Sequence, residues 1–185
     1  MASTVTYEGD TIQTTLRGKY KLILTVTATG ANTFNYLVQL QRRAGTGSMT
    51  WHVQNSHTLS LHYMAPGDNV VTEHSINIVG KLVEVPNIEN GIADINSGTI
   101  TINSACTAAQ RKISAHYHAS GINTTKDTYD FWAPSNTDPG DLPALSNVYV
   151  YNNGWHQATA VYVYNGGWKR ASSDRVNVYN NGWKS

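Results

Sequence analysis

The sequence predicts an all-β protein with three parts: an antiparallel β-sandwich over residues 1–132, a proline-rich linker over 133–146, and three aromatic β-hairpin repeats over 147–185. Three observations support this prediction. Apolar and polar residues alternate in short runs, as in strands with one buried face. Gly, Asn and Pro separate the runs. Charged residues are only 14% of the chain, so its polar surface consists largely of Thr, Ser and Asn, which suits exposed β structure.

The first two strands are predicted over residues 19–28 and 34–41, where the alternation is most regular. The short Gly30–Asn32 segment between them is rich in turn-forming residues, so the two runs predict an antiparallel hairpin. In each run the larger apolar side chains fall on one face, which we expect to be buried. These are Tyr20, Leu22, Leu24 and Val26 in the first run, and Phe34, Tyr36, Val38 and Leu40 in the second.

Further strands and turns follow from the same two signals. Turns are predicted at Pro66–Asp68 and at Asn96–Gly98, and the only helical candidate, over 104–111, is one or two turns long. The later strands are predicted over 49–53, 58–63, 70–78, 82–85, 99–102, 112–118 and 128–132. Eight to ten short strands separated by turns predict a sandwich.

The composition changes after residue 132. Residues 133–146 contain three of the five prolines, which remove backbone donors and favour extended chain, so a linker is predicted there. A Val-rich and Tyr-rich phrase then occurs three times, each followed by an Asn/Gly turn and a tryptophan. Those tryptophans are Trp155, Trp168 and Trp183, separated by 13 and 15 residues, a spacing that predicts one hairpin per copy.

A single hairpin is marginally stable in water, so the copies must stack, pack on the sandwich, or pair with neighbouring chains. Each copy has a valine face and an aromatic face, and the third copy stops without a complete return strand. We therefore expect a homo-oligomer, with a trimer favoured. The aromatic residues either pack the repeat or form an exposed platform for a sugar or protein. The candidate binding residues are Tyr149, Tyr151, Trp155, Tyr162, Tyr164, Trp168, Tyr179 and Trp183.

Enzymatic chemistry is not predicted. The closest carboxylate pairs, Glu8 with Asp10 and Asp127 with Asp130, lack a surrounding catalytic pattern. Neither a phosphate-binding loop nor a nucleophile elbow occurs in the sequence. Cys106 is the single cysteine, so no intrachain disulfide forms, and its neighbours give no reason for a reactive thiol.

His116 and His118 would share one face of a strand, which is a possible start of a metal site. A third ligand could come from His52, His57, His62 or His74, but none lies at a diagnostic spacing. We therefore expect no metal and no cofactor.

The net charge of +1 gives no general attraction to nucleic acid, and no apolar stretch is long enough for membrane insertion. The first ten residues lack the pattern of a signal peptide. These features favour a protein assembled in a cytoplasm without export.

The phrase VYVYNNGWHQA resembles the short Val-Tyr-Val/Asn-Gly-Trp-Lys repeats that close some phage tail and adhesin-like proteins of Gram-positive hosts. INSGTITI and RKISAHYHA are loosely similar to siphophage structural proteins. His156 stands where the other copies have Lys169 and Lys184, and Asn177 replaces a tyrosine. The resemblance implies a non-enzymatic virion component made in the host cytoplasm, oligomeric and bound to other virion proteins.

Tail-associated attachment to a host-surface carbohydrate is the first expectation from this resemblance. A capsid decoration protein and a carbohydrate-binding module of a bacterial surface protein are the alternatives. A cell-wall hydrolase is the enzymatic alternative, and it lacks a catalytic constellation.

Overall fold

Antiparallel strands make up most of the computed structural model, which describes residues 3–14, 18–43, 50–54, 56–79, 83–122 and 127–144, and the backbone of four short strands between 149 and 170. Every strand pairing among these residues is antiparallel. The prediction of an all-β fold is confirmed.

The first sheet is built around the long predicted hairpin. Its order is β1-β3-β4-β9, and β2 pairs with β3 beyond the end of β1, so β1 and β2 together form one interrupted edge. The strands are β1 (Thr4–Glu8), β2 (Ile12–Thr14), β3 (Gly18–Ala28), β4 (Thr33–Arg43) and β9 (Ile92–Thr101).

The second sheet has the order β11-β10-β6-β7, with the short β12 also paired to β10. A separate two-stranded pair, β5 with β8, and one 3-10 turn at Ala108–Gln110 complete this part of the fold. The strands are β5 (Trp51–His52), β6 (Thr58–Tyr63), β7 (Thr72–Ile76), β8 (Glu84–Val85), β10 (Lys112–Ile122), β11 (Asp127–Ala133) and β12 (Gly140–Asp141).

The two sheets enclose one hydrophobic core, because alternate residues of each strand point to the same side. The apolar positions predicted for the first hairpin are all buried, with Tyr36 the most exposed at 8%. Trp51 is fully buried among rings from both sheets. Its ring centroid lies 5.0 Å from that of Tyr20 and 5.5 Å from that of Phe131.

Strand bounds agree with the predictions to different degrees. Residues 58–63 form β6 as predicted, whereas the edge strands β1 and β2 were not predicted. The predicted turn at Pro66–Asp68 is present, with the Asp68 N–H donating to the Ala65 carbonyl at 3.0 Å.

The predicted turn at Asn96–Gly98 is wrong, because these residues lie inside β9. Gly98 stands opposite Tyr36, and a Cβ at position 98 would lie 2.9 Å from the Tyr36 hydroxyl oxygen. That hydroxyl donates to Asn96 Oδ1 at 2.9 Å. The turn-like residues therefore make room for, and bond to, a tyrosine on the neighbouring strand.

The predicted linker also needs correction for the residues described. Ala133 is the buried last residue of β11, and Gly140–Asp141 pair with Lys112–Ile113 of β10. Leu142 is 6% exposed and belongs to the core. The sandwich therefore extends to at least Leu142. The nearby prolines are compatible with this arrangement, because a chain at a sheet edge does not need every backbone donor.

Two strand pairs lie in the repeat region. The strand β13 (Tyr149–Tyr151) pairs with β14 (Trp155–Gln157), and β15 (Tyr162–Tyr164) pairs with β16 (Trp168–Arg170). The third copy lies outside the described residues.

Candidate functional site

The outer face of the second sheet carries a group of residues that we call the histidine face: His62, Glu73, His116, His118, Asp130 and Trp132. Strand pairing brings them together from four strands. His62 of β6 stands opposite Glu73 of β7. On β10, His116 stands opposite Trp132 and His118 stands opposite Asp130. Because these side chains alternate with the core residues, they all point away from the core.

One carboxylate oxygen of Asp130 accepts hydrogen bonds from two histidines. Its Oδ1 lies 2.8 Å from His116 Nε2 and 2.8 Å from His118 Nδ1, so each histidine donates through that nitrogen. Partial burial raises the pKa of Asp130, but the hydrogen bonds from His118 and His116 and the charges of these rings outweigh this effect and lower it overall. Asp130 is therefore a carboxylate at neutral pH.

Trp132 packs against two of the imidazoles. Its ring is stacked on His116, with centroids 4.1 Å apart and planes 5° apart. Its centroid lies 5.0 Å from that of His62 on the other side of β10. The indole thus fixes the positions of both rings on the face of the sheet.

His62 is a partly buried imidazole of this group. Burial lowers its pKa most strongly, His116 and His74 lower it further, and Glu73 opposes them. The ring is therefore neutral at pH 7. Its Nε2 is buried and has no hydrogen-bond partner among the described residues, an arrangement that normally costs free energy.

Two sets of three side chains on the histidine face are close enough to share a metal ion. One consists of His62, Glu73 and His116, and the other of His116, His118 and Asp130. Within each set, one potential ligand atom from every residue lies within 4.8 Å of the others. Imidazole and carboxylate together are typical ligands of zinc.

A groove of about 220 Å³ opens beside the histidine face. It lies between the β1–β2 connection and the end of β11, and its lining includes Asp10, Asp130, Trp132 and Asn136. Gly9 makes this arrangement possible, because a Cβ there would lie 1.5 Å from the carbonyl oxygen of Trp132. The groove thus combines an aromatic ring with two carboxylates and an amide.

The hairpin residues predicted to bind are only partly described. The register sets Tyr151 opposite Trp155 and Tyr164 opposite Trp168. Tyr149 lies on the same strand as Tyr151, and Tyr162 lies on the same strand as Tyr164. Tyr179 and Trp183 lie outside the described residues.

The four candidate third ligands for His116 and His118 have different positions. His62 reaches the histidine face, whereas His57 is 2% exposed and its Nδ1 lies 2.6 Å from the Tyr117 hydroxyl in the core. His74 Nε2 lies 3.0 Å from Asp68 Oδ2, and His52 stands opposite Glu84 in the β5–β8 pair. Sequence reasoning missed Glu73 and Trp132, which alternation places on the outer face but does not place beside His116.

The carboxylate pairs considered from the sequence do not act as pairs. Asp127 and Asp130 are three residues apart on β11 and point to opposite faces. Glu8 pairs with the buried Lys21, whereas Asp10 lines the groove. Cys106 is a free, partly buried thiol.

Comparison with protein-family models, curated proteins and solved structures gave no match. In the described part of the chain, no helix has the length and hydropathy needed to cross a membrane.

Proposed function

We propose that this protein is a non-enzymatic virion structural protein of a bacteriophage, associated with the tail, that attaches the particle to a carbohydrate on the host surface. The observation that carries the binding part of the proposal is the groove beside Trp132. The virion part rests on the resemblance of the C-terminal repeats to those of phage tail proteins.

The groove has the groups that recognise a sugar. An indole offers a flat apolar face for the C–H groups of a pyranose ring, while carboxylates and amides accept and donate hydrogen bonds at its hydroxyls. Trp132 supplies the ring, and Asp10, Asp130 and Asn136 supply the polar groups. About 220 Å³ is below the ~300–1,000 Å³ of pockets for drug-sized ligands, so a single sugar unit is the appropriate size.

The hairpins provide a second aromatic surface in this proposal. The strand register sets Tyr151 opposite Trp155 and Tyr164 opposite Trp168. Two-stranded sheets need another surface for stability. A homo-oligomer, with a trimer favoured, or another virion protein supplies that surface.

Binding of the fluorescently labelled full chain to host cells and to their purified wall polysaccharide tests the proposal. Trp132→Ala is expected to abolish groove-dependent binding, and Trp132→Phe to retain part of it, because the aromatic face is kept. The matched control is Ile88→Ala, which removes an apolar side chain that is 66% exposed and does not line the groove. Binding unchanged by Trp132→Ala would contradict the role of the groove.

Immunogold labelling of particles tests the position. Label at the tail supports the proposal. Label on the capsid would instead favour a decoration protein, and absence from particles would favour a carbohydrate-binding module of a bacterial surface protein. Light scattering of the purified chain tests the trimer.

A further inference from the structure

Three side chains of the histidine face are arranged as the ligands of a transition-metal ion. Ligand atoms of His62, Glu73 and His116 lie within 4.8 Å of one another. Tetrahedral zinc binds nitrogen and oxygen at about 2.0–2.2 Å, which places its ligand atoms roughly 3.3 Å apart. The ligand atoms would therefore move towards one another by up to about 1.5 Å when they bind an ion.

The strand register keeps these ligands together without an ion. His62 stands directly opposite Glu73, and the ring centroids of His62 and His116 are 6.3 Å apart. Trp132 packs on both rings. The two imidazoles are therefore positioned by packing before any metal binds, which reduces the entropy lost on binding.

His62 is ready to act as a ligand. Its buried Nε2 has no hydrogen-bond partner among the residues that the structure describes. A bound ion would satisfy this nitrogen, and Glu73 would contribute a negative charge from the exposed side.

Asp130 stands where an orienting carboxylate is expected. On one side of β10, Asp130 lies opposite His118, which is two residues after His116. On the other side, His62 lies opposite Ser114, which is two residues before His116. Asp130 and His62 are thus on opposite sides of His116. Asp130 accepts a hydrogen bond from His116 Nε2 at 2.8 Å, so in the neutral ring the lone pair is on the other nitrogen, Nδ1.

We propose that His62, Glu73 and His116 bind one Zn²⁺ ion, with the fourth position open to solvent and Asp130 orienting His116 from outside the coordination shell. Two imidazoles and one carboxylate suit zinc, whereas calcium and magnesium prefer oxygen ligands. This inference does not depend on the attachment function. It departs from the expectation of no metal, because the sequence did not show that β7 and β10 both pair with β6.

The second set, His116, His118 and Asp130, is the weaker site. Its three ligand atoms already satisfy one another through two hydrogen bonds of 2.8 Å. A metal ion there would break both bonds. At the His62 set, an ion bound through His116 Nδ1 would break neither of them, and no hydrogen bond joins His62, Glu73 and His116.

Titration of the chelator-stripped full chain with Zn²⁺ alone, followed by calorimetry and by tryptophan fluorescence, tests the proposal. We expect one equivalent to bind and the emission of Trp132 to change, a change that Trp132→Phe removes. His62→Gln and Glu73→Gln should each weaken binding by more than Asp130→Asn, for which about 10–100-fold is expected. His118→Gln, which removes a ligand of the second set only, should weaken binding less than His62→Gln does. His52→Gln, in the separate β5–β8 pair, is the control and should leave the affinity unchanged.

Circular dichroism of each metal-free variant verifies folding. A measurement on the unsubstituted chain keeps the test valid if a variant fails to fold: Zn²⁺ should protect His62 and His116, but not His118, from diethylpyrocarbonate, as read by mass spectrometry. Absence of binding, or binding that requires His118 and not His62, would overturn the proposal.

Discussion

The rings of His116 and Trp132 stack face to face across β10 and β11, with centroids 4.1 Å apart and planes 5° apart. The imidazole of His116 belongs to both candidate metal-ligand sets of the histidine face, and the indole of Trp132 lines the groove. One cross-strand contact therefore joins the candidate metal ligands to the candidate sugar site.

We predict that this stack contributes measurably to stability. A double-mutant cycle with His116→Ala and Trp132→Ala, measured by urea unfolding without metal, should give a coupling free energy of about 0.5–1.5 kcal/mol. Additive effects of the two substitutions would show that the rings lie in contact without stabilising one another.

Gly9→Ala is predicted to disrupt the edge of the first sheet. The new Cβ would lie 1.5 Å from the Trp132 carbonyl oxygen, so the backbone must move, and we expect a loss of about 1–3 kcal/mol or more in the free energy of unfolding. Gly30→Ala is the control, because the nearest atom to its Cβ would be Thr33 Cβ at 3.4 Å. Equal unfolding midpoints for the two variants would refute the close approach.

Asp68→Asn is predicted to remove part of the acid dependence of stability. Hydrogen bonds from the Thr72 hydroxyl and the Ala65 N–H lower the pKa of Asp68 below its usual value. Partial desolvation opposes this effect, and His74 adds to it. A carboxylate with a lowered folded-state pKa stabilises the fold above its unfolded pKa of about 3.9, and this contribution disappears as the pH falls through the lower folded value.

The stability difference between the unsubstituted chain and Asp68→Asn should therefore be constant near neutral pH and shrink below about pH 4. Thermal unfolding at a series of pH values, in the presence of a chelator, measures this stability difference. Asp138→Asn, at an exposed position, is the control. A difference that persisted unchanged to pH 2 would contradict the assignment.

The end of the sandwich can be tested by truncation. A chain of residues 1–144 should fold cooperatively, whereas one of residues 1–132 should be less stable, because it lacks β12 and the core residue Leu142. Burial of one leucine alone is worth about 1.5–3 kcal/mol. Equal unfolding midpoints of the two truncated chains would support the domain boundary at residue 132 that the sequence predicts.

The composition of the histidine face could be predicted only in part. Alternation alone put His116 and His118 on one face of a strand, and β10 has them there. Glu73 and Trp132 join this face through the register of β6 with β7 and of β10 with β11. These residues are 43 and 16 positions from His116 in the chain, so no local pattern links them.

The sequence by itself determined the position of strands such as residues 58–63, and the buried side of the first hairpin at Tyr20 to Val26, because side-chain alternation is a property of each strand alone. The tertiary structure decided the rest. It placed Asn96–Gly98 inside β9 against Tyr36, laid residues 140–142 along β10, and put His62 next to His116. Strand pairing is set by packing between residues distant in the chain, and a one-residue change of register would send each side chain to the opposite face.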